Sequence, residues 1–239
     1  MEDFLVLDAL SKSFGGVRAV DDVSLRHGDG DMRAIIGPNG CGKTTLFNLI
    51  TGYLAPDHGS IRFEGQALSG LALHQVARRG IVRKFQVPSV FDGLSAGDNL
   101  RAALAAPIAG RRRPLLNELL ERVGLAGHER KDAGLLSHGQ KQWLELALVL
   151  AASPKLVLLD EPAAGMTKAE RAETVKLLHR LRGETGLSIM LIEHDMDFVA
   201  ALDCPVSVMM LGRIVAEGSF ADVRRDPAVR EAYLGAGYA

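Results

Sequence analysis

Cysteine is scarce in this chain of 239 residues: there are two, Cys41 and Cys204. Two thiols cannot make the disulfide framework of a small secreted domain, so a reducing compartment is the simpler expectation. No run approaches the roughly 18 consecutive apolar residues of a membrane-spanning helix. Met1-Glu-Asp-Phe4 has no basic segment leading into an apolar stretch, so no secretory signal is expected. An excess of one charge is also lacking. Lys and Arg number 28 against 29 Asp and Glu, a net charge of -1, and nothing asks for nucleic acid as a bulk partner. That balance leaves a local basic patch open. Low-complexity segments and obvious internal repeats are missing too. What remains is ordinary globular composition, 47% hydrophobic and 24% charged, in a chain long enough to bury a sizeable core. We expect a protein soluble by itself that can still dock on a membrane protein.

Short apolar strands alternate with helical stretches, which argues for an α/β fold with a mostly parallel sheet. Strands are expected at Met32–Ile36, Ile81–Phe85, Leu156–Leu159 and Ser188–Ile192. Leu156–Leu159 is all-apolar, as in a parallel strand covered on both faces, and Ser188–Ile192 reads as the next buried strand. Val206–Leu211 and Arg213–Ala216 around Gly212 read as a hairpin. Helices are expected at Lys43–Ile50 with Gly52 past its end, Leu115–Val123 stopping at Gly124, Gln140–Ala152 and Lys168–Arg182. The most linker-like stretch, Ala105–Pro114, reads as a loop inside a helical region. Its Arg111, Arg112 and Arg113 fit a solvated face or an anionic contact.

Gly37-Pro38-Asn39-Gly40-Cys41-Gly42-Lys43-Thr44 fits G-x-x-x-x-G-K-[ST]. At average residue frequencies a random chain of this length shows the pattern roughly one time in a hundred. Its place between an apolar strand and a helix is the one the chemistry needs. Glycines let backbone N–H groups converge on phosphate oxygens, and the helix N-terminus adds partial positive charge at the same point. Lys43 is expected on the β and γ phosphates and the Thr44 hydroxyl on Mg²⁺, with Thr45 at the phosphate end of the helix.

Leu156-Val-Leu-Leu-Asp160-Glu161-Pro162 ends a buried strand with two carboxylates. In a parallel sheet the carboxyl ends of neighbouring strands share the edge where ligands sit. Asp160 is expected to reach the Mg²⁺ of Thr44, and Glu161 to orient or deprotonate an attacking water. A solvated acidic turn is the plainer alternative.

Leu136-Ser137-His138-Gly139-Gln140 comes between these motifs. From Leu7 to Leu234, with its motifs in this order, the chain resembles the ATP-binding subunit of ABC transporters. The resemblance implies a P-loop NTPase fold with a mostly parallel core sheet, an antiparallel β subdomain and a helical subdomain. It also implies one ATP-binding domain over residues 1–239, with its helical part at approximately 88–150. In that family Ser137, Gly139 and Gln140 match the signature that meets the γ-phosphate of ATP held by the other subunit. Ser137 as a plain helix cap stays open. Phe14 matches the aromatic that stacks on adenine, an ordinary core Phe being the alternative. Gln86 matches the glutamine joining the metal site to the transporter interface. His194 matches the histidine that contacts the γ-phosphate and positions Glu161 and water, although a lone His is usually structural.

Three positions depart from the family pattern. His138 stands where glycine is usual, and its imidazole is expected to crowd the phosphate or alter coupling. Thr167 stands where many relatives have Asp, so that carboxylate's dimer-bridging role does not carry over. Cys41 lies inside the phosphate loop, as a reactive thiol that ATP protects or as a small filler residue.

Ala163-Ala-Gly-Met166, Ile192-Glu-His-Asp-Met196 and Ala228–Gly235 resemble the branched-chain amino-acid importer group. Ser137–Glu145 and Gly80–Phe91 look closer to its urea-uptake member, which favours urea or a short-chain amide over branched-chain amino acids. The resemblance implies ATP and Mg²⁺ as cofactors and ATP hydrolysis as the activity. Its implied partners are transmembrane permease subunits, a second ATPase subunit and, indirectly, a periplasmic or extracellular solute-binding protein. Its place is the cytoplasmic side of the inner membrane. Val87–Leu94, with Phe91, is expected to dock a short cytoplasmic helix of the permease. Three rivals fit less well: a soluble ABC ATPase outside transport, an exporter subunit such as one for lipopolysaccharide, and a kinase. A chromosome-clamp head needs a long coiled coil, a ribosome-associated factor usually carries two ATPase domains, the Ser137–Trp143 stretch disfavours the exporter, and a kinase has no use for the signature or His194.

Overall fold

The computed structural model describes residues 4–84, 90–106, 114–227 and 229–230. From the N-terminus, β1 (Leu5–Phe14) and β2 (Val17–His27) form an antiparallel pair, and β3 (Met32–Ile36) leads into α1 (Lys43–Ile50). Next come β4 (His58–Phe63), β5 (Gln66–Ala67), α2 (Leu73–Arg79) and β6 (Ile81–Lys84). Three helices follow before the next strand: α3 (Ala96–Ala105), α4 (Leu116–Arg122) and α5 (His138–Leu150). The chain returns through β7 (Leu156–Asp160), α6 (Lys168–Thr185), β8 (Ser188–Ile192) and α7 (Met196–Leu202). It closes with β9 (Val206–Met210), β10 (Arg213–Gly218) and α8 (Phe220–Val223).

Two sheets result. A four-stranded antiparallel sheet has the order β2-β1-β4-β5, and a six-stranded one the order β10-β9-β3-β8-β7-β6. In the larger sheet β9, β3, β8, β7 and β6 are parallel, and β10 turns back on β9. The central strands β7 and β8 are largely apolar because both faces are covered. Along β7, Leu156 and Leu158 face α1 and the antiparallel sheet, while Val157 and Leu159 face α3 to α7. β8 divides the same way, with Met190 and Ile192 on one side and Ile189 and Leu191 on the other. The expected α/β class and hairpin are therefore present, and β6, α5 and α6 differ only at their ends. β6 is described to Lys84, with Phe85 outside the described residues. α5 begins two residues earlier than expected, because the Ser137 hydroxyl accepts from Gln140 N–H and the Gln140 side chain returns to Ser137. α6 runs through Gly183 and stops at Gly186, which takes the left-handed φ of 67° that ends a helix cheaply.

A buried ion pair ties the helical layer to the sheet. Lys84 Nζ lies 2.7 Å from Glu145 Oε2 on α5 and 2.5 Å from Gln142 Oε1. Strand β6 and the helix carrying residues 138–150 are thus pinned to each other.

His27 closes β2 at 2% exposure, and neither ring nitrogen has a hydrogen bond of normal geometry. Burial first, then the Arg33 charge, holds its pKa down from 6.5 to about 4, against a weaker opposite pull from Asp31. The unfolded chain takes up a proton below pH 6.5 that the folded chain refuses until about pH 4. Stability is therefore full above pH 6.5 and falls as the pH drops toward 4, by about 3 kcal/mol over that interval. Urea unfolding of His27→Phe at several pH values is expected to lack that share of the acid dependence.

Candidate active site

After β3 the backbone turns through Gly37-Pro38-Asn39-Gly40-Cys41-Gly42 into α1. Gly42 has φ 108°, and a Cβ there would lie 2.0 Å from the carbonyl oxygen of Ala19 on β2. A Cβ at Gly37 would lie 2.1 Å from that of Met209 on β9. Only glycine lets the loop fit between those strands. Helices α3, α5, α6, α7 and α8 are capped by the side chains of Ser95, Ser137, Thr167, Asp195 and Ser219. Helix α1 has no side-chain cap and no acid in its first turn, so its leading N–H groups are left for an anion. The Lys43 ammonium lies beside them and donates to Gly37 O at 2.7 Å and Pro38 O at 2.8 Å. Thr44 is exposed and Thr45 half-buried at the same turn.

Cys41 is not the reactive thiol entertained from the sequence. It is buried, and burial pushes its pKa up despite Lys43 Nζ at 3.8 Å from Sγ. The thiolate that reacts with oxidants and alkylators is disfavoured there. Cys41 fills space under the loop.

Parallel strands bring three more groups to this edge. β8 lies between β3 and β7, so the segment after β8 is flanked by the phosphate loop and the acidic pair. Asp160, 2% exposed, accepts from Arg83 Nη2 at 2.6 Å through Oδ2. Arg83 Nη1 donates to Asn48 Oδ1 of α1 at 2.5 Å, and the guanidinium stacks 5.6 Å from the Phe47 ring centre. Arg83 thereby clamps the end of β7 to the phosphate-loop helix. Asp160 Oδ1 is buried with no hydrogen-bond partner. An orphan carboxylate oxygen at this edge, with the Thr44 hydroxyl at the start of α1, suits a hard divalent cation that prefers oxygen donors. Among the described residues no group of three His, Cys, Asp or Glu could hold a metal alone, so other oxygens must complete any such shell.

Glu161 follows with φ 49°, a strained conformation for a non-glycine residue, and its N–H donates to Ile192 O at 2.9 Å. Its Oε1 is 3.6 Å from Nδ1 of the exposed His194, an electrostatic contact longer than a hydrogen bond. Between them sits Glu193, fully buried, which sequence reading missed. Its Oε1 accepts from Ala163 N–H at 2.9 Å and its Oε2 from His194 N–H at 3.2 Å. Burial pushes its carboxyl pKa up, and those two N–H groups pull it back.

At the start of α5, Ser137 Oγ donates to Glu170 Oε1 at 2.8 Å and Gly139 N–H donates to the same oxygen at 3.1 Å. The other oxygen of Glu170 accepts from Thr167 N–H at 3.0 Å and Thr167 Oγ1 at 2.9 Å. Thr167 N–H first, then Ser137, Thr167 Oγ1 and Gly139, hold the Glu170 pKa down from 4.5 to about 2. The signature turn is thus an anion site that the chain fills with its own carboxylate. Thr167-x-x-Glu170 is legible as a capping box for α6, but nothing in that pattern points to Ser137. Gln140 Oε1 accepts from Ser137 N–H at 3.1 Å, closing the capping box of this turn. His138 reaches across to the neighbouring loop. Its Nε2 lies 2.9 Å from Ala164 O, in the segment after Glu161.

Phe14 is 46% exposed at the β1–β2 turn, with Lys12 Nζ 5.8 Å from its ring centre, which removes the core alternative. Phe91 is 63% exposed. Buried Asn99 accepts from Phe91 N–H at 2.8 Å and donates to Phe91 O at 3.1 Å, pinning the backbone while the ring points out. Gln86, residues 87–89 of the expected dock, Arg111–Arg113 and most of Ala228–Gly235 lie outside the described residues.

Comparison with known proteins agrees with this geometry. A family model described as ABC transporter matches residues 20–164. One described as branched-chain amino acid ATP-binding cassette transporter matches residues 213–239. The chain is 36% identical over 248 residues to the high-affinity branched-chain amino acid transport ATP-binding protein BraF of Pseudomonas aeruginosa, with 97% of each chain covered. It is also 36% identical over 230 residues to the lipopolysaccharide export system ATP-binding protein LptB of Escherichia coli K12, with 95% of each covered. The crystal structure of the ADP conformation of MJ1267, an ATP-binding cassette of an ABC transporter, superposes with a TM-score of 0.87 at 30% identity. That match covers 98% of this chain and 100% of the other. This protein belongs to the ATP-binding, ATP-hydrolysing subunits of ABC transporters, of the branched-chain amino acid transporter type.

Proposed function

We propose that this chain energises the import of branched-chain amino acids, as one half of an ATP-driven clamp under a membrane permease. The observation that carries the solute is the separate match of residues 213–239 to the branched-chain amino acid family model, beside full-length similarity to BraF. Similarity to the lipopolysaccharide export subunit reaches the same identity, and the carboxyl-terminal match is what favours the branched-chain reading. The urea expectation finds no support among these relatives and yields to its alternative.

In this reading the first-turn N–H groups of α1 and the Lys43 ammonium bind the β and γ phosphates, with Lys43 exchanging its loop carbonyls for phosphate oxygens. Phe14 takes the adenine on its exposed ring. Thr44, Asp160 and Gln86 would hold Mg²⁺, which when bound neutralises phosphate charge. Glu161 orients and deprotonates the attacking water, and His194 holds that water and the γ-phosphate in place. Departure of the γ-phosphate then weakens the hold between subunits.

Ser137 and Gly139 serve the nucleotide of a facing ATPase subunit, either a second copy or a related chain. Glu170 fills those donors in the free chain. A partner's triphosphate must displace it, so closure is an exchange of one anion for another. Among the described residues no helix is long and apolar enough to cross a membrane, consistent with a peripheral place at the cytoplasmic face, carried by permease subunits. A solute-binding protein on the far side delivers the cargo. The test is ATP-dependent uptake by the reconstituted transporter: labelled leucine is expected to accumulate and labelled urea is not, and the reverse result overturns the solute assignment.

A further inference from the structure

The ends of β7 and β8 lie side by side in register, Asp160 opposite Ile192. Just beyond these ends, Glu161 and His194 belong to different loops with no covalent link shorter than the whole of α6 and β8. Two bonds cross between those loops. One is the backbone bond from Glu161 N–H to Ile192 O at 2.9 Å, which fixes where the Glu161 main chain begins. The other is the Glu193 carboxylate. One of its oxygens accepts from Ala163 N–H, two residues beyond Glu161, and the other accepts from His194 N–H. Glu193 is 1% exposed, so water cannot take its place at either donor.

We propose that Glu193 is a positioning residue for ATP hydrolysis: its carboxylate bridges the loop of Glu161 to the loop of His194 and holds the two side chains in the geometry that water attack needs. This rests on the roles assigned above to Glu161 and His194. The need for a bridge follows from local conformation. Glu161 sits at φ 49°, and a non-glycine residue keeps such a backbone only where its surroundings impose it. The turn after it is closed by Ala164 N–H on Glu161 O at 3.1 Å and Met166 N–H on Ala163 O at 3.2 Å. Pro162 has no N–H to contribute. The Ala163 N–H is therefore the donor that anchors this turn to the neighbouring strand, and Glu193 is its acceptor. The same carboxylate fixes the main chain at His194, whose Nδ1 is 3.6 Å from Glu161 Oε1. Moving either loop by about 1 Å takes the pair out of register with the water, a displacement that typically costs on the order of a hundredfold in rate.

Glutamine at this position has the same shape but a single acceptor oxygen, so it can hold one N–H and not both. In full-length protein, Glu193→Gln is expected to lower kcat for ATP by about ten- to a hundredfold while KM for ATP stays near the parent value. In a His194→Ala background the same substitution is expected to cost little more, because its effect runs through His194 and Glu161. Glu193→Asp, which keeps two oxygens on a shorter arm, should recover part of the loss. Melting temperature and fluorescent-nucleotide binding, measured on each variant, report folding. An unchanged kcat in Glu193→Gln overturns the proposal. So does an equal cost in the His194→Ala background, or a rise in KM in step with the fall in kcat. If His194→Ala itself turns over ATP at the parent rate, the assignment of His194 has failed, and the bridge fails with it. A slow His194→Ala beside a normal Glu193→Gln sinks the bridge alone.

Discussion

Glu161→Gln is expected to cut steady ATP turnover by about 10²–10⁴-fold, the usual worth of a placed general base, while ATP still binds. The amide has the carboxylate's shape but cannot take the water's proton. Nothing that holds the phosphates changes, because Lys43, the first turn of α1 and the Arg83 clamp on Asp160 lie on other elements. Subunits that bind ATP and cannot release its γ-phosphate should stay closed. Turnover assays paired with equilibrium nucleotide binding check both halves. Turnover at the parent rate would remove Glu161 from the role given to it.

Phe91→Glu is expected to abolish ATP-dependent solute uptake while the isolated chain hydrolyses ATP near the parent rate. The ring is displayed just before α3, its backbone pinned by Asn99, and the exposed Leu94 stands beside it. A side chain of that size contributes about 1.5–3 kcal/mol when fully buried in a partner, and an unpaired carboxylate in the same pocket is costly. None of this touches the phosphate loop or Glu161. Loss of ATP binding in the isolated variant would contradict a docking role.

What the sequence shows and hides in this chain follows from distance along it. The phosphate loop is legible because its chemistry is local: strand, glycines, lysine and helix are consecutive. Strands β7 and β8 are legible because burial on both faces gives each a run of four consecutive apolar residues. Strands β1 and β2 are not. Leu5 and Leu7 alternate, but Ala9 at φ 48° inserts a bulge before Leu10, and Asp22 at φ 57° does the same in β2, so the two-residue period breaks. Only the family resemblance supplied the antiparallel sheet. The site divides in the same manner. Asp160, Glu161 and His194 sit at strand ends, where position announces them. Arg83, Glu193 and Glu170 act across 77, 30 and 33 residues on Asp160, Ala163 and Ser137, and no local pattern encodes such pairings. The His138 contact with Ala164, 26 residues away, is hidden for the same reason.

The most direct measurement is the structure of the assembled transporter carrying Glu161→Gln, trapped with Mg²⁺ and ATP. Our account predicts each γ-phosphate gripped by Lys43 of one ATPase subunit and by the signature turn of the facing one, with Ser137 and Gly139 released from Glu170. A triphosphate enclosed by one polypeptide, with Glu170 still seated on Ser137, would contradict it.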